Sequence, residues 1–158
     1  MLRRAYIGLG SNLGDRAGAI ARALLALGAT SGVRLISVSR LVETEAVGGP
    51  PGQPSYLNAV AAIDTEVEAR PLLVRLKEIE RDLGREPGGV RWGPRRIDLD
   101  LLVLGEQIVR EPDLEVPHPR IAERRFVLEP LAELDPALTI PGLGKTVAEL
   151  RNALAPAR

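Results

Sequence analysis

Ten residues, RWGPRRIDLD from Arg91 to Asp100, hold three arginines and two aspartates and lead directly into the apolar run LLVLG. Asp98 and Asp100 are two positions apart, and in an extended chain such side chains leave the same face. Convergent carboxylates suit a divalent cation, and the arginines upstream suit an anion such as phosphate. A plainer reading stands beside this one: Asp98 and Asp100 pair with Arg95 and Arg96 as surface ion pairs, which are common and worth little. The apolar run weighs toward the cation, because partly desolvated carboxylates are costly unless a positive charge answers them.

Other residues carry chemistry in smaller groups. Tyr56 and Asn58 are a second same-face pair. There an aromatic ring and an amide can stack on and hydrogen-bond a flat heterocycle, or be no more than an edge tyrosine and a turn-forming asparagine. Trp92, the only tryptophan, lies in the glycine-rich, charged loop REPGGVRWG from Arg85 to Gly93, where it is poorly explained as core. His118, the only histidine, stands between Pro117 and Pro119, which fix the backbone on both sides. A basic cluster of Arg120, Arg124 and Arg125 follows, with Phe126 beside it. Lys77, Glu80 and Arg85 read as a solvated helix end. The loop GLGSNLGD could cradle phosphate, but it lacks the Lys-Ser/Thr ending of a P-loop, and a simple turn explains it as well.

These residues need a scaffold, and the hydrophobic pattern supplies one. Arg4 to Leu9 reads as a strand, and the stripe Ile20, Ala23, Leu24 and Leu27 as a helix stopped by Gly28. Val33 to Val47 reads as one long strand, Gly48 to Pro54 as a loop, and Tyr56 to Val67 as a strand pairing antiparallel with its predecessor. Leu72, Leu73, Leu76, Ile79 and Leu83 place a helix over Glu68 to Leu83, with Pro71 tolerated in its first turn. Asp98 to Leu104 is the next strand, with a short strand, a helix over Arg125 to Leu134 and a terminal amphipathic helix after it. The order βαββαβ predicts an α+β, ferredoxin-like sandwich, an antiparallel sheet backed by helices, with a C-terminal partly helical extension.

Composition narrows the classes. At 158 residues the chain is expected to form a single domain, residues 1–158. Basic and acidic residues number 21 each, so no global charge attracts nucleic acid or a membrane surface. All but two of the basic residues are arginine, the side chain that grips phosphates and carboxylates in a fork. With no cysteine and one histidine, a metal would rest mainly on oxygen ligands, which points to magnesium, manganese or calcium. The N-terminal apolar segment is too short for a signal peptide and no stretch has membrane-spanning length, so a cytoplasmic protein is expected.

Five blocks, GSNLGDR at Gly10, PSYLNAV at Pro54, IERDLGR at Ile79, RWGPRRIDLDLL at Arg91 and VPHPRIAERRFVLEPL at Val116, together resemble the 6-hydroxymethyl-7,8-dihydropterin pyrophosphokinases of folate biosynthesis. The resemblance spans nearly the whole chain, with the blocks in the same order. It implies transfer of pyrophosphate from ATP to a reduced hydroxymethylpterin, with AMP released, by a monomer that acts on small molecules alone. It further implies that Asp98 and Asp100 bind two Mg²⁺ ions bridging the triphosphate. Tyr56 and Phe126 would sandwich the pterin, with Asn58 and the backbone near Thr44 reading its edge. Arg85 and Arg95 would neutralise the phosphates, Arg91 and Trp92 would lie on a loop closing over the substrates, and His118, Arg124, Lys77, Glu80 and Leu101 would line the ATP side. The catalytic set on this reading is Arg85, Arg91, Arg95 and Asp98. The chain departs from the family pattern at Pro87, where many members carry a basic residue, at Pro119, where some carry an aromatic, and at Lys77, where some carry glutamine.

Two other readings compete. A ferredoxin-like sheet can bind single-stranded RNA, but such modules show clustered sheet aromatics and net basic charge, and aromatics here are 3%. The same pterin pocket could serve another reaction, such as aldol cleavage, against which the aspartate pair and the arginine density argue.

Overall fold

The computed structural model describes residues 1–46, 49–84 and 96–154. Strand β1 (Arg3–Ser11) leads into helix α1 (Arg16–Gly28), and β2 (Val33–Val38), β3 (Val42–Thr44) and β4 (Tyr56–Thr65) follow. Helix α2 (Ala69–Asp82) leads to β5 (Asp98–Leu104), a small hairpin of β6 (Val109–Glu111) and β7 (Leu114–Val116), and helices α3 (Arg125–Leu134) and α4 (Val147–Ala153). The main sheet has the order β2-β4-β1-β5, with β3 also on β4, and every described pairing is antiparallel. This is the ferredoxin-like order expected from βαββαβ.

The sheet is covered on both faces. Ala5, Ile7, Leu9, Ala61, Ile63, Leu99 and Leu101 pack against Ala19, Ile20, Ala23 and Leu27 of α1 and Leu72, Leu76 and Ile79 of α2. Tyr6, Val60, Ala62, Leu102 and Val103 pack against Val127, Leu128 and Leu131 of α3 and Val147 and Leu150 of α4. The C-terminal extension is therefore a third layer, and the central strands are apolar on both faces because neither face meets water. A register shift opposite Tyr6 and Ile7 pairs them with Val103 and Leu101, leaving Leu102 as the extra residue, so Leu102 and Val103 both serve the α3 layer.

The single strand expected over Val33 to Val47 is broken in two. Ser39 N–H donates to the Val60 carbonyl at 2.9 Å, and the Ser39 hydroxyl accepts from Val60 N–H at 2.9 Å, so a side chain replaces one ladder bond. Arg40 N–H then leaves the sheet and donates to the Glu133 carboxylate of α3 at 3.1 and 3.2 Å. Pairing resumes at Val42 opposite Asn58. β-branched and apolar residues stand on both sides of this corner with no glycine or proline between them, which is why the sequence reads as continuous.

The site end of the sheet is braced by the GSNLGD segment. Asn12, buried, donates through Nδ2 to the Pro54 carbonyl at 3.1 Å and to Gln53 Oε1 at 3.2 Å, and Arg16 Nη1 donates to the Ser55 carbonyl at 2.9 Å. Asp15 caps α1 by accepting from Gly18 N–H at 3.1 Å. These bonds hold the segment before β4 against the start of α1, and they make the loop a structural brace.

Candidate active site

Chain direction brings the ends of β1 and β3 and the starts of β4 and β5 to one end of the sheet. On the α3 face at this end lies a cavity of about 900 Å³. Its floor follows from register. Asn58 of β4 and Asp98 of β5 both stand opposite Gly10 of β1, and Asp100 stands opposite Gly8. Thr44 of β3 stands opposite Tyr56. The middle strand thus contributes two glycines where its neighbours contribute functional side chains.

Gly10 is required by close approach. A Cβ built there would lie 3.0 Å from Asn58 Oδ1 and 3.4 Å from Tyr56 Cδ1. Its absence lets the amide and the ring lie over the strand. Asn58 is buried, and its Nδ2 donates to Thr44 Oγ1 at 2.7 Å. That bond fixes which way the amide is turned.

The opposite wall comes from the start of α3. Phe126 lines the cavity, and the Arg124 guanidinium lies 5.4 Å from its ring centroid, a cation–π distance. Arg124 Nη1 is 3.9 Å from Asp100 Oδ2, too long for a direct hydrogen bond. Arg124 therefore spans the aromatic wall and the aspartate pair. His118 stands nearby, its backbone N–H donating to the Leu102 carbonyl at 2.9 Å and its Nδ1 accepting from Arg120 N–H at 3.2 Å. Burial, then the charge of Arg124, lower its pKa to about 4, with Asp98 opposing and Arg120 reinforcing. The ring is thus neutral at physiological pH and carries its proton on Nε2.

The ion-pair reading of the aspartates fares differently for each arginine. Arg96 forms no pair with Asp98 or Asp100; its side chain runs past Gly84 and Gly14, where an added Cβ would meet Arg96 Cδ at 3.0 Å and Nη1 at 3.2 Å. Arg95 lies outside the described residues, as do Arg85, Pro87, Arg91 and Trp92. Among the described residues no group of three or more acidic, histidine or cysteine side chains makes a closed metal cage. Two half-buried carboxylates on one strand face do fit an ion such as Mg²⁺, which takes one or two carboxylates and fills its shell from phosphate oxygens and water.

Of the residues singled out from sequence, Thr44, Tyr56, Asn58, Asp98, Asp100, Arg124 and Phe126 line this one cavity. Four others do not: His118, placed above, and three more. Lys77 is exposed on α2, near enough to Asp113 to lower that carboxyl's pKa along with Arg70, the larger cause. Leu101 is buried toward the α1/α2 layer. Glu80, read as part of a solvated helix end, is only 3% exposed, and its Oε2 accepts from Leu99 N–H at 2.7 Å on the edge of β5. Arg120 and Arg125 of the basic cluster line the cavity as well, and Arg40, Glu43, Glu129, Glu133 and Arg151 line it without having been singled out. Gly8 and Gly10 had a legible signal, since glycines alternating within a strand mark a face that something approaches closely.

The fold and this floor define an α+β domain whose cavity brings two aromatic rings and an amide beside a carboxylate pair. Residues 6–136 match the family model described as 7,8-dihydro-6-hydroxymethylpterin-pyrophosphokinase, and the chain belongs to that family. It is 43% identical over 153 residues to the 2-amino-4-hydroxy-6-hydroxymethyldihydropteridine pyrophosphokinase of Pseudomonas aeruginosa, covering 97% of this chain and 93% of that one. The enzyme of the same name from Methylorubrum extorquens is 44% identical, with 98% and 96% covered. Among solved structures, an HPPK-DHPS chain of Plasmodium falciparum superposes with a TM-score of 0.76 at 17% identity, over 96% of this chain and 45% of that longer one. That likeness concerns the fold. No described helix is long and apolar enough to cross a membrane.

Proposed function

We propose that this protein transfers pyrophosphate from ATP to the hydroxymethyl group of 6-hydroxymethyl-7,8-dihydropterin, in a Mg²⁺-dependent reaction that yields AMP and the pterin diphosphate. It does so as a single-domain cytoplasmic monomer whose partners are these small molecules. One observation carries the reading: Asn58, Gly10 and Asp98 form a single row across three strands. Two strand spacings separate the amide from the carboxylate, roughly 10 Å between backbones. That is the span of a bicyclic heterocycle with a one-carbon arm, so a ring edge held at Asn58 and Thr44 brings its hydroxyl to Asp98 and Asp100.

In that arrangement Tyr56 and Phe126 clasp the ring from β4 and α3, and Asn58 offers Oδ1 to a ring N–H. The hydroxyl oxygen attacks the β-phosphorus, the bond from that phosphorus to the oxygen shared with the α-phosphorus breaks, and AMP leaves with that oxygen. The hydroxyl proton is released. Two Mg²⁺ ions, held by Asp98 and Asp100, would supply charge neutralisation and alignment of the triphosphate. Arg124 and the neutral Nε2–H of His118 donate to phosphate oxygens, and Arg85, Arg91 and Arg95 would add positive charge, with Trp92 as a further substrate contact. Phosphoryl-type transfer rests on positioning and charge stabilisation rather than on a strong base, which agrees with a site rich in donors.

The test is the identity of the nucleotide product. Protein incubated with ATP, Mg²⁺ and the reduced hydroxymethylpterin should form AMP in step with pterin diphosphate. ADP as the main product would overturn pyrophosphoryl transfer.

A further inference from the structure

We infer that Glu80 is a positioning residue for the metal-binding strand, acting through the backbone of Leu99 rather than by touching nucleotide. The role is defined toward the metal of the proposed reaction and rests on that reading. Among the described residues, strand β5 is the edge of its sheet and pairs only with β1. An edge strand turns every second N–H outward, away from its one partner. The Leu99 N–H, between Asp98 and Asp100, is met by Glu80 Oε2 at 2.7 Å. Leu99 itself is 4% exposed and packs with α1 and α2, so backbone and side chain of this residue are both held from the α2 side.

The consequence is geometric. Asp98 and Asp100 leave the opposite face of β5 from Leu99, toward α3. Any roll or outward bow of β5 at Leu99 would change both carboxylates together. Gly8 and Gly10, their partners across the sheet, carry no side chain to resist that motion. Glu80 resists it from α2, whose Leu72, Leu76 and Ile79 are fixed in the core. A short bond to a buried side-chain oxygen on a helix anchored in the core is a stiff fastening, and groups one step behind metal ligands commonly tune affinity 10- to 100-fold.

The test separates reach from charge. Glu80→Gln keeps the length and an acceptor oxygen but removes the charge; Glu80→Asp keeps the charge but falls one methylene short of Leu99. Mn²⁺ binding to each protein is measured by the electron spin resonance signal of free Mn²⁺, with α,β-methylene-ATP present so that no turnover occurs. The expected result is Mn²⁺ affinity within about 3-fold of wild type for Glu80→Gln and about 10-fold weaker for Glu80→Asp. In the AMP-forming assay the half-saturating Mg²⁺ shifts likewise, while KM for ATP at saturating Mg²⁺ stays within about 2-fold in both. The reverse order, with Asp tolerated and Gln impaired, or a KM for ATP that rises in Glu80→Gln at saturating Mg²⁺, would overturn the inference in favour of direct nucleotide contact. Wild-type affinity in both variants would overturn it as well. A wild-type protein that binds no Mn²⁺ and forms no AMP would sink the pyrophosphokinase reading and this inference together; an active wild type with an unaffected Glu80→Asp sinks only the latter.

Discussion

Asn58 Nδ2 donates to Thr44 Oγ1 at 2.7 Å, and this bond between neighbouring strands turns the Asn58 amide so that its Oδ1 lies over Gly10. A free amide could flip and offer donor or acceptor to a ligand; this one offers its acceptor. Thr44→Val preserves shape and removes the hydroxyl. A net hydrogen bond of about 0.5–1.5 kcal/mol corresponds to a rise in the KM for pterin of roughly 2- to 10-fold, with kcat little changed. Steady-state kinetics with pterin varied at saturating ATP provide the check, and an equal rise in the KM for ATP would count against an orienting role.

Gly10→Ala should act on the same amide from below. The added Cβ would sit 3.0 Å from Asn58 Oδ1, so the amide must shift by a few tenths of an ångström and Tyr56 must move with it. The expected outcome is pterin binding weakened by about 10-fold or more in a calorimetric titration, with the thermal midpoint lowered only slightly, because an extended strand position accepts alanine. Gly8→Ala is the control: its Cβ would meet Leu102 at 3.5 Å, an ordinary contact, and binding should change much less.

The metal assignment is open to a direct test at Asp98 and Asp100. Asp98→Asn and Asp100→Asn keep the volume and remove the charge. On the proposed reading each should lower kcat by about 100-fold or more, since the charge that would hold the metal is lost. Both proteins should retain their circular dichroism, because neither side chain belongs to the packed layers. Wild-type turnover in either would refute the assignment.

How much of this was legible in the sequence depends on the kind of interaction. Strands and helices whose apolar faces meet one layer were read from periodicity, and Asp98, Asp100, Tyr56 and Asn58 from their spacing of two. The break at Ser39 and Arg40 was hidden because it is made by a hydroxyl and by Glu133, a residue 93 positions further along than Arg40. The third layer was read as an extension because the C-terminal helices show only that they are amphipathic, not which face of the sheet they cover. Glu80 was read as solvated because a glutamate near a helix end ordinarily is; only the closeness of β5 makes it a buried acceptor. The site's floor was half legible: the aspartates and the asparagine stood out, while the glycines between them were read only as part of a strand and a turn.

A pH response follows from Tyr6, which is 2% exposed beneath α3 and donates through its hydroxyl to Asp135 Oδ2 at 2.8 Å. Burial first, and then the bond and charge of Asp135, raise its pKa from 10.0 to about 12, with Arg4 opposing. The folded protein thus keeps a proton that the unfolded chain gives up near pH 10. Stability from this group is complete below pH 10 and is lost as pH rises toward 12, because there the unfolded state binds fewer protons than the folded one. A shift of two units corresponds to about 2–3 kcal/mol at full loss. Urea unfolding at pH 9, 10, 11 and 11.5 should show the midpoint falling through this window. Tyr6→Phe should be less stable than wild type at pH 8 by about 1 kcal/mol, for the lost bond to Asp135, yet decline less steeply above pH 10. Parallel declines for the two proteins would show that the alkaline loss arises elsewhere.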